Sequence, residues 1–225
     1  MKIVGHRGSA GLALENTLEA IRAGIKARAD YLEFDVRLTA DDQVVLSHDE
    51  SLERVAGDTR LIHKLSLQEL HKIKLKNGEV MPSLSDALSV AGEVPVIIEL
   101  KDNDMARYVL RVISESPKTN ATIISFKHSE IALVKQLSPK TKVYVSSRTN
   151  PFDLFHIARS IAADGLVLNF WILNPLTYIN CIRNGFDIMV YTVNSRFLTY
   201  FIHFLYPRVM ICTNNPHYYS KKRVR

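Results

Sequence analysis

The sequence predicts a closed α/β barrel of eight parallel strands joined by helical crossovers. Short β-branched or apolar runs alternate with longer amphipathic segments, and there are eight such runs in 225 residues. Several runs end in charged groups, which a buried strand tolerates only when they are paired or hold a metal. Eight β–α units with right-handed crossovers close most economically into a (β/α)8 barrel. The alternative, an open doubly wound sheet, would be expected to carry a glycine-rich dinucleotide fingerprint, which is missing.

Strands are expected over residues 3–5, 31–37, 95–101, 121–126, 142–146, 165–169, 187–193 and 208–212. The first delivers His6-Arg7-Gly8 and is followed by Leu14, Leu18, Ile21 and Ile25 at helical spacing. The second carries Glu33-Phe34-Asp35. After it, Asp41-Asp42 reads as a turn, and residues 43–46 as a short extra strand that ends at His48-Asp49. Residues 49–94 form a short insertion between the second and third core strands. In it, Ser66-Leu67-Gln68-Glu69 is a capping box, and a weaker helix start lies at Ser83; the segment is too short for a second core. The third core strand ends in Glu99-Leu100-Lys101, and a helical pattern covers residues 130–137. No internal repeat or linker interrupts the chain, so residues 1–225 read as one domain ending in a basic tail over 217–225.

Composition narrows the function. With 47% hydrophobic and 23% charged residues the chain is globular. Four of the charges behind its net +6 lie in Lys221-Lys222-Arg223-Val224-Arg225, and without them the body carries only +2. That leaves no broad basic stripe for nucleic acid. No window reaches the length of a membrane span, and the first strand starts too early to leave room for a signal peptide, so a cytoplasmic location is expected. Cys181 and Cys212 read as buried, inert thiols.

Strand alternation puts Glu33 and Asp35 on one face and Leu32, Phe34 and Val36 on the other. Likewise Glu99 and Lys101 lie opposite Val96, Ile98 and Leu100. The apolar faces must meet the helices, so the polar faces point into the barrel near the carboxyl ends of the strands, where barrel active sites lie. Three converging carboxylates suit a hard divalent cation, Mg²⁺ or Ca²⁺. Arg7, as a forked donor, and Lys101, as a point charge, suit a phosphate. His6 and His48 then serve as acid and base in a metal-assisted phosphodiester cleavage. The remaining histidines read as structural, and Asn16 or Thr17 as the cap of the first helix, with an indirect role in steadying the site. Trp171, after the sixth strand, stands at the same rim as a candidate substrate contact near the leaving group or as an aromatic lid.

The ordered set His6-Arg7-Gly8, Glu15-Asn16-Thr17, Glu33-Phe34-Asp35-Val36, His48-Asp49, Ile98-Glu99-Leu100-Lys101, Thr192-Val193-Asn194 and Thr213-Asn214-Asn215-Pro216 resembles the glycerophosphodiester phosphodiesterases over nearly the whole chain. The resemblance implies a TIM-type barrel that converts a small-molecule glycerophosphodiester to glycerol 3-phosphate and an alcohol. It implies metal ligation by Glu33, Asp35 and Glu99, acid–base roles for His6 and His48, and phosphate contacts from Arg7 and Lys101. It also implies attack by the glycerol 2-hydroxyl, giving a cyclic phosphate that water opens. Which histidine begins as base is left open. Departures from the family pattern fall at Leu14, Tyr191 and Asn214, where relatives often carry Pro, Trp and Asp. The short insertion implies an open pocket mouth.

Two other functions stand beside this one: lysophospholipase D action at a membrane surface, and a non-catalytic binding protein on the same scaffold. The segment 197–206 is more apolar all round than an outer barrel helix requires, and with residues 221–225 it offers a weak membrane contact or a dimer contact. Ordinary packing of that helix is the larger expectation.

Overall fold

A computed structural model describes residues 1–116, 118–148 and 151–220, so the tail expectation for 221–225 lies outside the described residues. The chain enters along β1 (Lys2–Gly5), turns through α1 (Leu18–Lys26) and returns along β2 (Tyr31–Leu38). The segment between β2 and the next barrel strand contains β3 (Val44–Leu46), β4 (Ser51–Leu52), α2 (Glu53–Ala56), β5 (Asp58–Leu61), α3 (Leu67–Leu70) and α4 (Leu84–Ala91). Regular alternation follows: β6 (Val96–Leu100), α5 (Ala106–Ser114), β7 (Ala121–Ser125), α6 (His128–Leu137), β8 (Lys142–Ser147), α7 (Pro151–Ile161) and β9 (Gly165–Asn169). The circuit ends with α8 (Pro175–Arg183), β10 (Asp187–Tyr191), α9 (Arg196–Leu205) and β11 (Met210–Thr213).

Eight of these strands are parallel neighbours in the order β1-β2-β6-β7-β8-β9-β10-β11, and β11 pairs again with β1. The sheet is therefore closed, as the eight-fold alternation predicts, and the open sheet is excluded. β3 runs antiparallel to the end of β2, pairing Leu46 with Val36, and β4–β5 is a separate hairpin.

Closure sorts the side chains into two apolar layers. Phe34, Ile98, Val145, Leu166 and Ile211 point outward to the helices. Val4, Ile97, Ile124, Tyr144, Val167, Met189, Met210 and Cys212 fill the barrel interior. The insertion has its own satellite cluster of Val45, Leu52, Ile62, Leu65, Leu70 and Met81, so even this short segment buries some apolar surface independently. Its last part, α4, packs between α1 and α5 and acts as the second crossover helix. Thr17 caps α1, and both Ser66 and Ser83 close full capping boxes, the latter using the shorter Asp86.

Candidate active site

All the polar strand ends project from one rim. His6 follows β1, and its backbone N–H donates to the Thr213 carbonyl of β11, 3.0 Å away. Arg7 takes a positive φ of 52° and Gly8 one of 84°. A Cβ on Gly8 would come within 2.9 Å of α1 backbone, so the His-Arg-Gly turn needs glycine there. The turn aims the Arg7 N–H at Glu33 Oε2, 2.8 Å away.

Register brings the carboxylates together. Asp35 of β2 lies opposite Glu99 of β6, and Glu33 sits one inward step below Asp35. Oxygens of Glu33, Asp35 and Glu99 lie within 4.8 Å of one another, a group able to hold a metal ion. Burial, compounded by the charges of Asp35 and Glu99, pushes the Glu33 carboxyl well above the usual range. Burial and Asp35 also raise Glu99. Burial would raise Asp35 as well, but the charges of Lys101 and Arg7 outweigh it and hold that carboxyl low. Lys101 Nζ lies 2.8 Å from Glu99 Oε1 and 3.3 Å from Asp35 Oδ1. An all-oxygen donor set whose mutual repulsion is only partly offset fits a hard divalent cation.

Arg7 Nη1 pairs with Glu15 at 2.7 Å. Its buried Nε lies 3.2 Å from Asp35 Oδ2, without an aligned acceptor among the described residues. A forked donor with one N–H unspent beside the carboxylates fits a phosphate oxygen.

The two histidines differ in their supports. His6 Nδ1 donates to the amide oxygen of Asn214 at 2.6 Å, leaving Nε2 as the proton acceptor. Burial, and then Arg7, lowers its pKa below the ordinary value. His48 Nδ1 lies 2.7 Å from the Asp49 carboxylate. Burial still lowers His48 overall, although Asp35 and Asp49 oppose it. Asp49 and Glu15 are bridged by Arg54, so one ionic chain runs from His48 through Asp49, Arg54 and Glu15 to Arg7. Burial opposes the shift, but the Arg54 and His48 hydrogen bonds bring Asp49 down to about 2.

Further side chains support the site, and of these Asn194 and Arg37 carried no role from the sequence. Asn16, read there as a cap, bonds Asp35 twice, through Nδ2 at 3.0 Å and by accepting the Asp35 N–H at 3.2 Å. Asn194 Oδ1 accepts from the Asn214 N–H and the Thr213 hydroxyl, steadying the partner of His6. Arg37, inward on β2 like Glu33 and Asp35, donates to the His48 carbonyl and pairs with Asp102. It walls a cavity of about 340 Å³ shared with Glu50, Ile62, His63, Asp102 and Asn103. Cys212 is buried as expected, but it lines a small hollow together with His6, Glu33, Glu99, Phe126 and Tyr191. Strand alternation from Asn214 places it there. Trp171 stands on a 3-10 turn after β9 with its ring 80% exposed, packed on Phe170 and outside that hollow.

Comparison with known proteins identifies the family. The family model "Glycerophosphoryl diester phosphodiesterase family" matches residues 6–217. A glycerophosphodiester phosphodiesterase of Caldanaerobacter subterraneus is 26% identical over 209 residues, covering 86% of each chain. A human lysophospholipase D is 34% identical over 143 residues, 64% of this chain and 41% of that one. A phosphodiesterase of Oleispira antarctica, solved with the product sn-glycerol-3-phosphate, superposes with a TM-score of 0.91 at 20% identity, covering 97% of this chain and 94% of that one. With the match running from the first histidine to beyond the last barrel strand, the chain belongs to the glycerophosphoryl diester phosphodiesterase family and is an enzyme of that family.

Proposed function

We propose that this enzyme hydrolyses small glycerophosphodiesters to glycerol 3-phosphate and an alcohol, using Glu33, Asp35 and Glu99 to hold Mg²⁺ or Ca²⁺. The observation that carries the reading is two differently supported histidines beside three converging carboxylates, two of them buried, and two cationic side chains. The product complex of the Oleispira relative supports the same substrate class. The metal, when bound, offsets the carboxylate repulsion and withdraws charge from the phosphoryl group.

Arg7 and Lys101 neutralise the phosphate and orient it between the histidines. His6 is the initial base: its Asn214 partner is a neutral amide, and Arg7 beside it disfavours the imidazolium. Its Nε2 takes the proton from the glycerol 2-hydroxyl, whose oxygen attacks phosphorus to give the cyclic phosphate. His48 is the initial acid, because the Asp49 carboxylate stabilises its charged form and an anionic diester adds to that effect. It gives its proton to the departing alcohol, and the two roles exchange when water opens the ring.

His6→Ala and His48→Ala should each lower turnover of glycerophosphocholine by about 10²–10⁴-fold while circular dichroism stays native. In the first step alone, read as the single-turnover release of p-nitrophenolate from a glycerophosphoryl p-nitrophenyl ester whose leaving group needs no proton, His48→Ala should recover most of its rate and His6→Ala should not. The reverse pattern would exchange the two roles, and full activity of either variant on both substrates would refute two-histidine catalysis.

The human lysophospholipase D relative supports a second reading, in which the glycerol of the substrate carries one acyl chain and the headgroup leaves as the free alcohol. Comparing the hydrolysis rates of lysophosphatidylcholine and glycerophosphocholine decides between the two substrates.

A further inference from the structure

The sequence expectation that packing consumes the apolar surface of 197–206 meets a different arrangement: α9 buries only Thr199 and Ile202 fully. Phe197 and Phe204 are 80% and 83% exposed, and Tyr200, Phe201 and Leu205 are exposed with them. These side chains form a stripe along the outside of the helix, with Phe197 and Phe201 stacked at 6.3 Å. The neighbouring α8, joined to α9 through the ring contact of Tyr178 and Tyr206, adds exposed Leu176 and Ile179. An exposed apolar face of this kind marks an interaction surface.

Charge identifies the partner. From residue 188 to the C-terminus there is no Asp or Glu, against Arg196, Arg208, Lys221, Lys222, Arg223 and Arg225. Arg196 and Arg208 are exposed at the two ends of α9, and Arg196 lies over the Tyr218 ring. The Tyr219 hydroxyl donates to Thr199 of α9, fastening the last described turn to this helix. Aromatic and aliphatic side chains framed by cations and free of acids suit an anionic bilayer, where rings enter the interface and cations meet headgroups. A second copy fits poorly, because a two-fold contact would set arginine against arginine with no acidic residue of this region to offset them.

Topology sets the orientation. Crossover helices of a parallel barrel begin at the carboxyl ends of its strands, so Leu176 and Phe197 start their helices at the active-site rim. Exposed Trp171 stands on that rim too. Ser220 bonds the carbonyl of Ala27, the C-cap of α1, at the opposite end of the barrel. The stripe thus spans the flank from rim to base.

We propose that the flank formed by α9 and the exposed side of α8 is a docking face for an anionic lipid bilayer, which places the mouth of the barrel at the edge of the lipid surface. The proposal goes beyond the reaction assigned above and stands apart from it, because binding is read by sedimentation and not by turnover. Vesicles of phosphatidylcholine, alone or mixed with phosphatidylserine, are sedimented with the full chain at low and high salt. Retention is expected on the mixed vesicles at low salt, with release at high salt. The variant F197S/F201S/F204S should lose about tenfold or more in retention, and a chain ending at Ser220 should weaken binding to the mixed vesicles by about tenfold. Both should keep native circular dichroism and native turnover of glycerophosphocholine. Absence of retention, equal retention on neutral vesicles, or retention unchanged by the serine substitutions would overturn the proposal. So would a concentration-dependent dimer, abolished by the same substitutions, in the absence of vesicle binding; that result would make a second copy the occupant.

Discussion

At the scale of single residues, partners rather than positions differentiate the two histidines. His6 leans on the amide of Asn214, and His48 leans on a carboxylate. Replacing Asn214 by Asp would put a carboxylate against His6 Nδ1 and favour its charged form, raising a pKa that burial and Arg7 now depress. The base must be unprotonated to act. The acidic limb of kcat/KM, expected below the ordinary histidine value of about 6.5, should therefore move to higher pH in Asn214→Asp. Rates measured below neutrality should fall while those at alkaline pH hold. An unchanged acidic limb would mean that His6 is not the group whose deprotonation starts the reaction.

At the scale of elements, the crossover helices show how neighbours complete one another. α5 begins at Met105 with no capping side chain and no acidic residue in its first turn. Glu130, from the following helix α6, supplies both, accepting the N–H groups of Asp104, Met105 and Ala106 at 2.8–3.1 Å. An acidic residue buried to 4% exposure on a barrel helix is explained by those three donors and by the positive end of the α5 dipole. Glu130→Ala should cost roughly 3 kcal/mol in urea denaturation. Glu130→Gln, which keeps one acceptor oxygen, should cost less, and turnover of the folded fraction should be native in both. Sequence periodicity located α6 over residues 130–137, but it gave no sign that Glu130 would cap α5. The donors and the acceptor lie some 25 residues apart and meet only when the helices pack.

At the scale of the whole molecule, the barrel carries stored repulsion at its centre. Glu33 and Glu99 have raised pKa values because burial and neighbouring carboxylates disfavour their charge. A group whose folded pKa exceeds its unfolded one stabilises the fold at pH below the unfolded value, and that contribution is lost as pH rises through the folded pKa. At neutral pH the metal-free protein is therefore held together despite this cluster. Glu33→Gln should raise the metal-free Tm by about 2–4 °C and abolish turnover. Adding Mg²⁺ or Ca²⁺ should raise the Tm of the native protein with metal concentration, an increment that Glu33→Gln and Glu99→Gln should both lose. A native protein whose Tm ignores both cations and exhaustive chelation would remove the metal from the mechanism. No helix among the described residues is long and apolar enough to cross a membrane.

The amino-acid sequence by itself determined the eight-strand alternation, the inward face of Glu33, Asp35, Glu99 and Lys101, and the family, because these depend on periods of two and of 3.6 residues and on local motifs. Three things were decided only by tertiary structure. The register that sets Asp35 beside Glu99 depends on strands 64 residues apart in the chain. The Asn214 support of His6 depends on barrel closure, which joins residues 208 positions apart. The apolar stripe of α9 is visible as composition in the sequence, yet which of its side chains meet solvent is settled by the neighbours that fail to cover them. Pattern along the chain fixes which way a side chain points, and only the packing of distant segments fixes what it meets.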